Sequence, residues 1–239
     1  MAIIAIVFDL DGTIAGFNLD YKAVRLKVCN LLISAGMPAS ILATERSTFE
    51  MIRKAKIFMK NKGRQKEDIG RIIDKALETI EKHEIEAAKT TSLLPGVKGT
   101  LQALRRSGIK IGLCTVNGEA STEYILGRFG IRSFFDAVVP RNKITNVKPN
   151  SEHLKSVLTA LGVEANEAIF VGDGVNDMEC ARSSGVVAVG LLTGVSMSDE
   201  LIDAGASYII TQMSDLPKLI IQMRAGVHKE GFEATLKPR

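Results

Sequence analysis

Ala2-Ile3-Ile4-Ala5-Ile6-Val7-Phe8-Asp9-Leu10-Asp11-Gly12-Thr13 opens the chain with seven apolar residues in a row, then two acids and a glycine. Apolar side chains at successive rather than alternate positions, rich in Ile and Val, mark a strand covered on both faces, as in a parallel sheet. Five further runs of this kind occur at 109–114, 137–139, 168–171, 186–189 and 208–210. Helical stretches at 97–107, 121–129 and 151–161 lie between them, with Gly108, Gly130 and Gly162 as their stops. Strands alternating with helices imply right-handed crossovers, and so an α/β fold with a doubly wound parallel sheet.

Residues 17–91 break that rhythm. They hold no strand-like run and read as three or four helices in sequence, with Ile69, Ile72, Ile73, Ala76, Leu77 and Ile80 at helical spacing. Upstream, Ile52, Ala55 and Met59 form an apolar stripe beside a basic one of Arg53, Lys56 and Lys60, and Asn61-Lys62-Gly63 is a natural helix end. The expected organisation is an α/β core of 1–16 and 92–228, an inserted all-helical domain of 17–91, and a polar tail of 229–239. The insert holds 15 of the 31 basic residues and 10 of the 27 acidic ones, so the net charge of +4 is concentrated there. That excess favours an anionic partner, although solvated basic faces are common.

The acids carry the chemical signal. Alternation along a strand end puts Asp9 and Asp11 on one side of the chain, and Gly12 permits a close turn. Ligands of open α/β sheets collect beyond the carboxyl ends of the strands, where these residues fall. Two carboxylates there suit Mg²⁺, a hard cation that takes oxygen ligands, and one of them can act as a nucleophile. Alone, the motif serves equally as a helix cap or an Asp/Gly turn. A second acidic strand end, Gly172-Asp173-Gly174-Val175-Asn176-Asp177, shifts the balance, because a cap would explain Asp173 but leave Asp177 and both glycines without a reason. Strand 109–114 ends in Thr115-Val116-Asn117-Gly118, a hydroxyl and a turn able to meet a phosphate oxygen, although such a threonine also serves as a helix cap. Lys148, fixed by Pro149 just before a helix, offers an ammonium to balance carboxylates and phosphate.

The order DLDGT, T, KP, GDGVND resembles the haloacid dehalogenase-like hydrolases over residues 1–16 and 92–220, and the helical insert is similar to the cap that many members carry after the first motif. The most similar subgroup includes phosphoglycolate phosphatase and its relatives. The resemblance implies a Mg²⁺-dependent phosphatase in which Asp9 attacks phosphorus and binds the metal. Asp11 then serves as general acid and base and contributes its main chain to the metal. By the same resemblance Asp173 and Asp177 complete the metal set. Gly12, Thr115, Val116, Asn117 and Lys148 bind substrate, with Thr115 and Lys148 gripping the transferring phosphoryl group. Members that cleave carbon–halogen or carbon–phosphorus bonds lack an acid at the place of Asp11, so a phosphoester is implied. The chain departs from phosphoglycolate phosphatases in reading Ile14-Ala15-Gly16-Phe17-Asn18 where they commonly show an Asp-Ser pair. A phosphomutase would use the same residues and differ in the nucleophile admitted to Asp9.

Composition excludes other classes. Cys29, Cys114 and Cys180 are scattered, with no CxxC pair and no clustered histidine, so neither a disulfide framework nor a zinc site is expected. The opening apolar run is far shorter than the roughly 18 residues of a membrane span and lacks a basic flank. A cytoplasmic, monomeric or dimeric enzyme acting on a small phosphorylated metabolite is expected, with no membrane partner. The basic stripe lacks interleaved aromatics, which argues against nucleic acid, and the two acid loops and the insert argue against a phospho-accepting signalling module.

Overall fold

The computed structural model describes residues 2–16, 18–42, 48–194 and 196–225, so the polar tail expected at 229–239 lies outside the described residues. The chain divides into two compact units, residues 18–91 and the remainder. Strand β1 (Ala5–Phe8) precedes the first of these, which contains α1 (Tyr21–Ser34), α2 (Ala39–Leu42), α3 (Thr48–Asn61) and α4 (Lys66–Thr90). The rest follows as α5 (Val97–Arg106), β2 (Lys110–Cys114), α6 (Glu119–Arg128), β3 (Ala137–Val139), α7 (Ser151–Leu161), β4 (Ala168–Gly172), α8 (Val175–Ser184), β5 (Val187–Leu191), α9 (Ser198–Ala204), β6 (Tyr208–Ile210) and α10 (Leu216–Arg224).

The six strands form one sheet in the order β3-β2-β1-β4-β5-β6, and every pairing is parallel. β1 lies between β2 and β4, with Phe8 opposite Leu113 on one side and Val171 on the other. All four of its residues are wholly buried, as the uninterrupted apolar run requires. Regular pairing covers only the second half of the 2–8 run. Ile4 nevertheless continues the ladder, donating to the Glu167 carbonyl and accepting from Lys110 N–H, each at 2.9 Å. α6 starts two residues before the expected position: Thr122 N–H closes the first turn on the Gly118 carbonyl at 3.0 Å, and Glu119 N–H donates to Asn142 Oδ1 at 2.8 Å. Gly162 ends α7 in the left-handed region, φ 62°. Leu154, Val157 and Leu161 of α7 join Val7, Phe170, Met178 and Ala188 in a core under one face of the sheet. Burying side chains of this size stabilises by about 1.5–3 kcal/mol each.

In the helical unit, α1 contributes Val24, Val28 and Leu32 to a second core, α3 contributes Met51, Ile52, Ala55 and Met59, and α4 contributes Ile69, Ala76 and Ile80. Ile72, Ile73 and Leu77 pack partly buried against it. Arg53, Lys56 and Lys60 are exposed on the opposite side of α3, as the amphipathic spacing requires. The chain leaves and re-enters the α/β unit on two segments that pair with each other. Gly16 N–H donates to the Ser92 carbonyl at 2.8 Å, and Leu94 N–H to the Ile14 carbonyl at 3.0 Å. No helix among the described residues is long and apolar enough to cross a membrane.

Candidate active site

The chain winds outward from β1 in both directions, so the carboxyl ends of β1 and β4 form the switch point at which open α/β sheets build their sites. Asp9 follows β1 directly and Asp173 follows β4, and Asp9 N–H donates to the Val171 carbonyl at 3.0 Å, bringing the two strand ends level. Asp177 sits in the first turn of α8, where its Oδ2 accepts from Gly174 N–H at 3.1 Å. The two loops thereby converge. One carboxylate oxygen each from Asp9, Asp173 and Asp177 lies within 4.8 Å of the others, and all three residues are buried.

Lys148 supplies the positive charge. Its Nζ donates to Asp9 Oδ1 at 2.5 Å and to Asp177 Oδ1 at 2.6 Å, with only 5% of the residue exposed. Burial acts to lower the pKa of this ammonium, but the Asp177 and Asp9 carboxylates outweigh it and hold the pKa well above the ordinary lysine value. One cation does not neutralise three acids. Burial, only partly offset by Lys148, raises the Asp9 carboxyl to about 6, with Asp177 adding to the rise. Burial together with the Asp9 and Asp177 charges raises Asp173 to about 8. A cluster of three carboxylates short of positive charge, all offering oxygen, fits a hard divalent cation.

Glycines let the acids approach. A Cβ at Gly12, whose φ is 79°, would strike the Asp173 carboxylate, and one at Gly194 would overlap it. Thr13 Oγ1 donates to Asp173 Oδ1 at 3.0 Å, and the Thr193 hydroxyl donates to the Gly12 carbonyl. The loop after β5 therefore walls the acid pair. Sequence reading assigned nothing to Thr193, Gly194 or Thr13. A Thr-Gly pair at a strand's carboxyl end was the available signal for the first two.

Thr115 follows β2, the neighbour of β1, and is 1% exposed. Its hydroxyl accepts from Asn117 N–H at 3.1 Å, so it shapes its own turn and caps no helix, α6 being entered through Gly118. Arg141, also unforeseen, holds this loop through both ends of the residue. Its Nη1 donates to the Val116 carbonyl at 2.7 Å, and its N–H to the Asn117 carbonyl at 3.0 Å. Asp11 is half-buried, and its carboxylate is not one of the three that converge.

A parallel sheet with a carboxylate at the end of its central strand, an acid pair on the adjoining strand end and a buried lysine between them defines a class of α/β hydrolytic enzymes. Residues 6–191 match the model of the family described as haloacid dehalogenase-like hydrolase, and the chain belongs to that family. It is 32% identical over 130 residues to the phosphoglycolate phosphatase of Salmonella paratyphi A, a match spanning 54% of this chain and about half, 52%, of that one. It is 29% identical over 230 residues to the phosphoglycolate phosphatase of Salmonella typhi, covering 88% and 90%. Its fold is similar to that of a β-phosphoglucomutase from Clostridium difficile, with a TM-score of 0.65, 21% identity, and coverage of 94% and 98%.

Proposed function

We propose that this chain is a Mg²⁺-dependent phosphatase that hydrolyses a small phosphorylated metabolite through an aspartyl-phosphate on Asp9. The observation that carries the reading is the double grip of Lys148. By holding one oxygen of Asp9, it orients that carboxylate beside Asp173 and Asp177, all three of them buried. Asp9, Asp173 and Asp177, with the main chain of Asp11, would hold the cation. Bound there, it supplies charge neutralisation for phosphoryl oxygens.

The protein's own groups account for the rest. A carboxylate oxygen of Asp9 forms a bond to phosphorus as the bond to the alkoxide leaving group breaks, and Asp11, protonated, gives its proton to that alkoxide. Asp11, now a carboxylate, takes a proton from a water whose oxygen attacks phosphorus, releasing phosphate and restoring Asp9. Thr115 and the turn through Val116 and Asn117, together with Gly12, would receive the phosphoryl oxygens, with Lys148 opposing their charge. Phosphoryl transfer depends chiefly on such positioning and electrostatic stabilisation. The likeness to a phosphoglycolate phosphatase over most of the chain supports a small carboxylated phosphoester as the first substrate to assay.

The test is phosphate release from a panel of phosphorylated metabolites with and without Mg²⁺, using the wild type and Asp9→Asn. The wild type is expected to turn over only with the cation and to carry one added phosphoryl group on Asp9 by mass spectrometry after rapid quenching. The near-isosteric Asn variant should fold and be inactive, and full activity in it would end the mechanism.

A further inference from the structure

Thr115 and Lys148 lie on separate segments, the loop after β2 and the approach to α7, yet a single carbonyl joins them. The Val139 carbonyl, at the end of β3, accepts from Thr115 N–H at 3.3 Å and lies 3.0 Å from Nε2 of His153. The other ring nitrogen, Nδ1, lies 3.3 Å from the main-chain nitrogen of Lys148. A backbone N–H can only donate and a carbonyl can only accept. Nδ1 is therefore the bare acceptor, and Nε2 carries the hydrogen given to Val139.

One neutral tautomer thus uses both ring nitrogens, on a side chain that is completely buried. His153 stands in the first turn of α7, which Asn150 caps by accepting from Glu152 N–H at 2.9 Å, and its own N–H donates to the Asn150 carbonyl at 3.2 Å. The ring's origin is therefore fixed by a helix start. Burial and the nearby Lys148 ammonium bring its pKa down to about 4, in keeping with a ring that stays neutral.

We propose that His153 is a positioning residue, which ties the backbone of Lys148 to the Val139 carbonyl and through it to Thr115, so fixing the spacing between the two groups that grip the phosphoryl group. The proposal rests on the roles given above to Thr115 and Lys148. A side chain there only to fill the core would be served as well by a leucine, which would leave Lys148 N–H without its acceptor.

Two measurements test it. Long-range ¹H–¹⁵N spectra of the imidazole are expected to show the Nε2–H tautomer alone across about pH 6 to 8. An Nδ1–H tautomer would overturn the proposal. The second is a pair of substitutions that divide the two bonds. His153→Gln extends an amide toward Val139 and gives up the acceptor facing Lys148, while His153→Asn keeps an acceptor near Nδ1 and gives up Val139. We expect kcat to fall about 10-fold in both variants, because each keeps only one half of the tie between Lys148 and Val139. Packing alone predicts that Gln, which fills the histidine's volume better, stays within about threefold of wild type while Asn falls, and that outcome would refute a positioning role. Cooperative thermal melts establish that both variants are folded, and His153→Ser replaces Asn if Asn fails to fold. Should the wild type hydrolyse no phosphate ester, the reading of the site fails, and the imidazole spectrum alone then decides whether His153 holds Lys148.

Discussion

Replacing Asp173 by Asn in the metal-free protein should make it more stable, by an amount that grows with pH. The folded carboxyl titrates near 8 against an ordinary value of 3.8, because it is buried beside Asp9 and Asp177. A carboxyl whose pKa is raised on folding favours the fold while it is protonated and loses that contribution as pH rises from the unfolded value toward the folded one. Between pH 5 and 7 the unfolded chain has already ionised Asp173, while the folded chain still holds the proton. The wild type therefore loses about 1.4 kcal/mol per pH unit on this account, about 3 kcal/mol over the window. His153, lowered to about 4, contributes in the opposite direction up to the ordinary histidine value of 6.5. For that reason the informative quantity is the difference between the two proteins, in which its contribution cancels. Asn keeps an oxygen for the Thr13 hydroxyl and has nothing to ionise. With about 2–4 °C of Tm per kcal/mol for a chain of this size, the gap between variant and wild type should widen by about 6–12 °C from pH 5 to pH 7 in EDTA. Circular-dichroism melts at the two pH values measure it. Saturating Mg²⁺ should raise the Tm of the wild type at pH 7 and leave the variant nearly unmoved. A gap of equal size at both pH values would refute the account of the acid cluster.

Gly194→Ala should push the Asp173 carboxylate out of line and weaken Mg²⁺ binding by about 10-fold or more, read by titration calorimetry with fold checked by melting. Lys148→Met removes the ammonium shared by Asp9 and Asp177. kcat should drop by about 10²–10³-fold, and the metal-free protein should lose about 3–5 kcal/mol, measured by denaturant unfolding in EDTA.

The parts legible in the sequence share a property: their meaning is local. Buried strands announce themselves by consecutive Ile and Val, and Asp9 and Asp173 stand out because each follows such a strand, with Asp11 and Asp177 close behind. The α4 stripe from Ile69 to Ile80 was equally plain, since one helix face carries the whole signal. What escaped is set by contacts between distant positions. Thr193 reaches the Gly12 carbonyl across 181 residues, and Thr13 reaches Asp173 across 160. No spacing rule in a single chain connects them. His153 was set aside because three scattered histidines suggest no metal, and its two partners are backbone groups, which a list of side chains does not display. Arg141 lay hidden for the same reason. Its donors meet the main chain of Val116 and Asn117, so only the folded loop gives it a task.

The place of β1 in the sheet has a consequence for synthesis. Ala5 pairs with Lys110 on one side and Ala168 on the other, so β1 leaves the ribosome before either neighbour and is flanked on both edges only once β4 has been made. Throughout the translation of residues 18–91 it has no neighbour. The helices made in that interval need only one another, their core being drawn from positions 24–80. Local contacts form fast and distant pairings slowly. The insert can therefore be folded on the nascent chain before the sheet has its second strand. Two backbone bonds between segments 14–16 and 92–94 then close the detour and hand the waiting strand to its first partner.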